Sequence, residues 1–293
     1  MLLFVLAVTC APAAFAANVS VVAAENSYGS MVRTIGGDHV DVTSLLDSPA
    51  VNPHEFKASP RIGRLLASAD LVVMNGLGYD GWMLPLLKGT PSAHRRVIKA
   101  SAAGSAMVMP DDNPHLFYDP RIMLATASAV AHALAQIDPA HKHDYQANLR
   151  EFKKQLLPIY AKVQALIAAH PNLTVTATEP VFGYMIRLLG YHDLYHDAQF
   201  ATMEGTQPSA QQVKRFMQGL QQHKVQLLIY NAEVHSRLTQ SYRKKAKEAG
   251  VPVAAVTELP LHGENYAQWV IDTLEGVAKA LDQSEHSGAG TSP

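Results

Sequence analysis

A chain of 293 residues with 48% hydrophobic side chains can bury one large core or two smaller ones, and two lobes is the better expectation at this length. Lys+Arg of 24 against Asp+Glu of 25, with no basic run, leaves no electrostatic footprint for nucleic acid and sets that class of partner aside. The single cysteine, Cys10, means that the rest of the chain has neither disulfides nor thiolate ligands.

Residues 1–16, MLLFVLAVTCAPAAFA, are an apolar run closed by Ala14-Phe15-Ala16, which reads as a signal peptide cut before Ala17 although a charged n-region is missing. Ala7-Val8-Thr9 is a poor lipobox for Cys10, so export to the periplasm is expected and lipid anchoring is the lesser alternative. Next comes a β-prone strand, Val19 to Ala24, then Glu25, then a helical pattern through Met31 and Ile35. A helix from Pro60 to Ala69 precedes a strand from Leu71 to Asn75, and a further strand is expected at Val97 to Lys99.

From Asp144 to Ala169, apolar residues at Leu149, Phe152, Leu156, Ile159, Val163 and Leu166 predict one long amphipathic helix linking two halves, with Pro158 kinking it or removing one hydrogen bond. The second half repeats the first: strand Leu173 to Thr178, helix through Met185 and Leu189, helix Ser209 to Gln222, strand Val225 to Asn231, strand Val251 to Val256. The expected units are a lobe at 17–140, a linking helix at 141–170, a lobe at 171–283 and a disordered tail at 284–293 with nothing to bury.

The halves are related by duplication. Shifted by 154 positions, Ala23, Glu25, Gly29, Met31, Arg33 and Gly36 fall on Ala177, Glu179, Gly183, Met185, Arg187 and Gly190. Repeating β-α-β units with right-handed crossovers predict an α/β fold of two lobes, each a mostly parallel sheet flanked by helices, with ligands at the carboxyl ends of the strands.

Two phrases do not belong to that repeat. Asn52-Pro53-His54-Glu55-Phe56 and Asn113-Pro114-His115-Leu116-Phe117 both lie in the first half. In each, proline fixes its own φ and holds the preceding Asn extended, so both imidazoles are presented from stiff, non-helical loops, the commonest start of a transition-metal site. The alternative is that Asn-Pro merely initiates two ordinary turns. Carboxylates at strand ends in the second half, Glu179 before Pro180 and Glu258 ahead of Pro260, are the candidate partners. Glu204 is the substitute for Glu258, and Glu25, like Glu179, also reads as a helix N-terminal carboxylate stabilised by the macrodipole. His192 and His196 are spaced i, i+4, but Asp193-Leu194-Tyr195 between them reads as a strand entry, and the other histidines read as surface or satisfied core groups.

No H-E-x-x-H, G-x-S-x-G, P-loop or nucleophilic cysteine accompanies these residues, which argues against an enzyme. A metal-dependent hydrolase is the alternative, and it would need an open coordination position and a general base.

The run Val22-Ala23-Ala24-Glu25-Asn26, Ile35-Gly36-Gly37-Asp38-His39-Val40, the two Asn-Pro-His phrases, Ala69-Asp70-Leu71-Val72, Tyr118-Asp119-Pro120 and Thr178-Glu179-Pro180-Val181-Phe182-Gly183-Tyr184 resemble the zinc/manganese-type solute-binding proteins of bacterial ABC importers. The resemblance implies an exported, monomeric receptor that captures one divalent ion, Zn²⁺ or Mn²⁺ with Fe²⁺ also compatible, and delivers it to an ABC permease in the cytoplasmic membrane. A surface adhesin on the same fold is a second alternative. Carried over by position, His54 and His115 are the first-lobe ligands, Glu179 the third and Glu258 the fourth. Manganese-type relatives usually have Asp at the last position and zinc-type ones commonly His at the third, so Glu258 and Glu179 each depart from one pattern. Residues 101–114 also hold no histidine, where zinc-type relatives often have a His-rich loop.

Overall fold

A computed structural model describes residues 17–48, 56, 59–260 and 263–288. The first half runs β1 (Val19–Glu25), α1 (Asn26–Gly36), β2 (Val40–Leu46), α2 (Pro60–Ser68), β3 (Leu71–Met74), α3 (Met83–Gly89), β4 (Arg96–Lys99), α4 (Ala100–Ala103) and α5 (Pro120–Ile137). Two helices, α6 (Lys142–Gln155) and α7 (Leu157–Ala169), lead to the second half. That half runs β5 (Thr174–Ala177), α8 (Gly183–Leu189), β6 (His192–Asp193), α9 (His196–Met203), α10 (Ala210–Gln221), β7 (Leu227–Asn231), α11 (Arg237–Glu248), β8 (Val253–Val256) and α12 (Tyr266–Gly288).

Both sheets are parallel and have the same order, β2-β1-β3-β4 and β6-β5-β7-β8, as the duplication requires. The central strands β1, β3, β5 and β7 are largely buried on both faces, and the two-residue period sorts their side chains between different cores. Val21, Ala23, Leu71 and Val73 of the first sheet join Val175, Ala177, Leu227 and Ile229 of the second in one continuous core. Val22, Ala24, Val72 and Met74 face a separate core beneath α2 and α3, and Leu228 faces another beneath α10 and α11. The chain therefore has two sheets but a shared inner core, which joins the lobes more firmly than a hinge between independent cores.

The linker departs from expectation. Instead of one long helix over 141–170, a 3₁₀ turn at Pro139–His141 leads into α6, and α6 meets α7 at Leu156. Pro158 sits in the first turn of α7, where its missing N–H is tolerated, and Leu156 keeps helical angles (φ −78°, ψ −18°), so the break is a kink. Its consequence is a division of labour: α6 packs on α1 and α5, whereas α7 packs on α8 and α12. The tail expectation also changes, because α12 continues to Gly288, five residues into the stretch expected to fray. Among the described residues no helix is long and apolar enough to cross a membrane. The expected signal peptide, with Cys10, lies outside the described residues, as does His54.

Candidate metal site between the lobes

His115 ends the second Asn-Pro-His phrase and is fully buried. Its orientation follows from Asn113. The Asn113 Nδ2 donates to Pro180 O across the lobes (2.7 Å), which leaves Oδ1 as an acceptor. That oxygen receives the His115 backbone N–H at 3.0 Å and stands 2.8 Å from Nδ1. In the neutral ring Nδ1 is thus the donor and Nε2 carries the lone pair. Nε2 lies 3.7 Å from Glu258 Oε2, close to the spacing of about 3.4 Å between two ligands of one tetrahedral ion with bonds near 2.1 Å.

Glu258 and Glu179 are buried as well, 1% and 3% exposed, and one side chain joins them. The Asn231 Nδ2 donates to Glu179 Oε2 (2.9 Å) and to Glu258 Oε1 (2.6 Å). Tyr79 OH, from the first lobe, donates to Glu258 Oε2 at 2.6 Å. Tyr79 also packs edge-on against the His115 ring, with centroids 5.8 Å apart. The turn that delivers Tyr79 needs Gly76 at φ 86°, where a Cβ would run into Ser101 Oγ. Both Asp80 carboxylate oxygens close that turn by accepting the Asn75 and Gly76 amides.

Further acids surround this group. Glu233 Oε1 accepts the backbone N–H groups of Glu258 (3.1 Å) and Leu259 (3.3 Å), and burial together with the Glu258 charge pushes its carboxyl up to about 8. Burial pushes Asp80 up to about 6 and raises Glu25 well above the ordinary carboxylate range. Burial thus favours the neutral, protonated form of these carboxyls in the metal-free protein, and a divalent ion entering beside them would favour their ionised form instead.

Of the four expected ligands, His115, Glu179 and Glu258 thus come together at the carboxyl ends of the strands, and His54 lies outside the described residues. Among the described residues no three His, Cys, Asp or Glu side chains form a metal-holding group on their own. Glu204, the substitute, sits exposed at the C-terminal end of α9, away from the buried cluster. His196 pairs with Asp193 (3.0 Å) and with Asp111 (3.7 Å), whereas His192 lies exposed on the short β6, so the two do not form a site. His141 does not simply point to solvent: it pairs with Asp138 and stacks on His39.

Sequence reasoning missed Tyr79, Asn231 and Glu233. One signal was available, since the matched strands β3 and β7 are both completed by asparagine, Asn75 and Asn231. Tyr79 carries no such mark, because it meets Glu258 only through a contact 179 residues away in sequence.

The family model for ZnuA, zinc-uptake complex component A periplasmic, matches residues 21–280. The manganese ABC transporter substrate-binding lipoprotein PsaA of Streptococcus anginosus is 23% identical over 286 residues, 91% of this chain and 90% of its own. Two solved structures share the fold. The periplasmic zinc binding protein TroA from Treponema pallidum superposes with a TM-score of 0.77 at 18% identity, over 90% of this chain and 99% of its own. The SBP FpvC from P. aeruginosa, in complex with Ni²⁺, does so with a TM-score of 0.76 at 21% identity, over 91% and 98%. With that match running through both lobes and the linker between them, the chain belongs to the zinc-uptake complex component A (ZnuA) family.

Proposed function

We propose that this protein is the exported solute-binding component of an ABC importer, capturing one divalent transition-metal ion, Zn²⁺ or Mn²⁺, between its lobes and delivering it to a permease in the cytoplasmic membrane. The ligands are His54 and His115 from the first lobe and Glu179 and Glu258 from the second. One observation carries the reading: an asparagine amide draws two buried carboxylates together, with the buried His115 Nε2 3.7 Å from one of them, a nitrogen-and-oxygen donor set that suits a divalent transition-metal ion. Two imidazoles with two carboxylates suit either ion, and oxygen ligands favour Mn²⁺ relative to an all-imidazole set.

The protein acts as a monomer in the periplasm and carries out no catalysis. The nearby Glu233 is engaged by two backbone amides, so it is not held free as a general base. Lipid attachment through Cys10 is the lesser alternative, although the Streptococcus anginosus relative is named a lipoprotein.

Calorimetric titration of the metal-free mature chain with Zn²⁺ and with Mn²⁺ tests the reading, with one ion per chain expected. His115→Ala is expected to abolish high-affinity binding. A stoichiometry other than one, or wild-type affinity in His115→Ala, overturns the shared site. Ion binding is also expected to raise the melting temperature, since only the folded chain assembles the ligands.

A further inference from the structure

Glu25 has no part in the four-ligand set, yet its surroundings are unusual for a carboxylate. It closes β1, is 0% exposed, and neither oxygen accepts a hydrogen bond from another residue. Buried carboxylates normally find donors, and one without them calls for an explanation such as an ion. A purely structural acid at this place would be expected to cap α1, but Glu25 makes no side-chain cap hydrogen bond.

Its position points to the cation site. The duplication equates Glu25 with Glu179, so each lobe ends its first strand with a buried glutamate. The β1–β3 register pairs Ala23 with Val73, and Glu25 and Asn75 each follow two residues further along their chains. Asn75 Nδ2 donates to Pro114 O at 2.8 Å, one residue from His115. Tyr79, whose hydroxyl is bonded to Glu258, is pushed well above the ordinary tyrosine range by burial and then by the charges of Glu258 and Glu25. Glu25 in turn is raised by burial first and then by Asp80 and Glu258. The glutamate thus lies buried on the first-lobe side, near enough to Asp80 and Glu258 for their charges to act on it.

We infer that Glu25 is a further carboxylate of the cation site, meeting the captured ion from the first lobe directly or through one ordered water and biasing it towards oxygen-preferring Mn²⁺ over Zn²⁺. The inference rests on the function proposed above. It makes the site nearly symmetric in acids, one strand-end glutamate from each lobe, with the histidines added by the first lobe alone. A third carboxylate raises both the negative charge and the number of oxygen donors, which suits an ion of higher coordination number better than a tetrahedral one.

The test is a pair of variants of the mature chain, Glu25→Gln and Glu25→Asp, titrated with Mn²⁺ and with Zn²⁺ beside wild type and His115→Ala. Glu25→Gln keeps the shape and removes the charge. It is expected to weaken Mn²⁺ binding by ~10–100-fold and Zn²⁺ binding less, so that the ratio of the two affinities moves towards Zn²⁺. Glu25→Asp, which keeps the charge, is expected to retain more Mn²⁺ affinity than Glu25→Gln.

Wild-type affinities and an unchanged ratio in Glu25→Gln, with His115→Ala defective, overturn the role of Glu25 and leave the four-ligand site standing. Wild-type affinity in His115→Ala as well overturns both. Should Glu25→Gln fail to fold, a crystal structure of the wild-type protein loaded with Mn²⁺ decides. A Glu25 oxygen on the ion, or on a water bound to it, supports the inference, and a carboxylate turned away from the ion overturns it.

Discussion

At the end of its third strand, β3 or β7, each lobe places a buried asparagine, and the two lobes use it for different ends. In the first lobe Asn75 Nδ2 donates to two carbonyls, Gly76 O and Pro114 O, both at 2.8 Å, while its Oδ1 accepts from Tyr28 OH. It is a strap for the loops that carry Tyr79 and His115. In the second lobe Asn231 Nδ2 donates to two carboxylates, Glu179 and Glu258, while its Oδ1 accepts the Glu233 amide. One scaffold position therefore fixes backbone on one side of the cleft and clamps charge on the other. Duplication supplied sheets, helices and strand ends in register, and the loops that differ between the lobes decided which side offers nitrogen and which offers oxygen.

This contrast can be broken most severely at the proposed ligands. His115→Ala removes the first lobe's described nitrogen and Glu179→Ala an oxygen of the second. Each is expected to cost more metal affinity in calorimetry than the ~10–100-fold typical of an outer partner. Equal affinity in either variant would show that one lobe binds alone.

The two asparagines should separate next. Asn231→Ala leaves two buried carboxylates without their shared donor and is expected to lower metal affinity by ~10–100-fold. Asn75→Ala leaves Pro114 O and the Tyr28 hydroxyl without that partner, and is expected to cost ~1–3 kcal/mol of stability in a denaturant titration. Its effect on metal affinity should be the smaller of the two. A reversed ranking of affinities would contradict the division between strap and clamp.

Contact between the lobes depends on Gly183, where a Cβ would come within 2.6 Å of Asn113 Nδ2, the group that binds Pro180 O. Gly183→Ala is expected to cost ~1–3 kcal/mol by forcing that loop apart, read as a lowered melting temperature of the metal-free protein. An unchanged melt would mean that the Asn113 loop yields without strain.

The comparison can also be sharpened by pH, acting on the metal-free protein. Glu233, ordinarily near 4.5, is pushed up to about 8 by burial and the neighbouring Glu258 charge. The folded chain therefore holds a proton that the unfolded chain releases at lower pH. The Glu233 contribution to stability is fully present below pH 4.5 and is lost as pH rises through about 8. Melting temperatures recorded from pH 5 to 8 should fall less in Glu233→Gln than in wild type, and parallel curves would remove Glu233 from that account. Metal affinity should run the other way, rising with pH, because ligands bind ions only when deprotonated.

Much of this architecture was legible along the chain. Apolar runs bounded by turn residues located β1, β3, β5, β7 and β8 to within two residues at either end, and the 154-residue offset foretold two similar lobes, whose shared strand order the structure then added. The linker was legible only in part, because Pro158 announced a disturbance, while whether it bends or ends the helix depends on what each segment packs against. Of the site, His115, Glu179 and Glu258 were marked by neighbouring prolines and strand ends. The sequence carried no sign that Glu204 would be exposed while Glu258 would be buried beside Tyr79.

The sequence by itself determined most of the strands and helices, their duplication and the proline before His115 that fixes the backbone there, since these rest on side-chain periodicity and on proline's fixed φ, both local properties. Only the tertiary structure decided that the lobes share a continuous inner core, that Asn231 bridges two carboxylates, and that Glu25 is buried without a donor. Those are facts of proximity between segments far apart in the chain, such as Val19 and Leu281 in the one inner core. The physical reason is that burial and Coulomb interaction depend on distance in space, which no local pattern encodes.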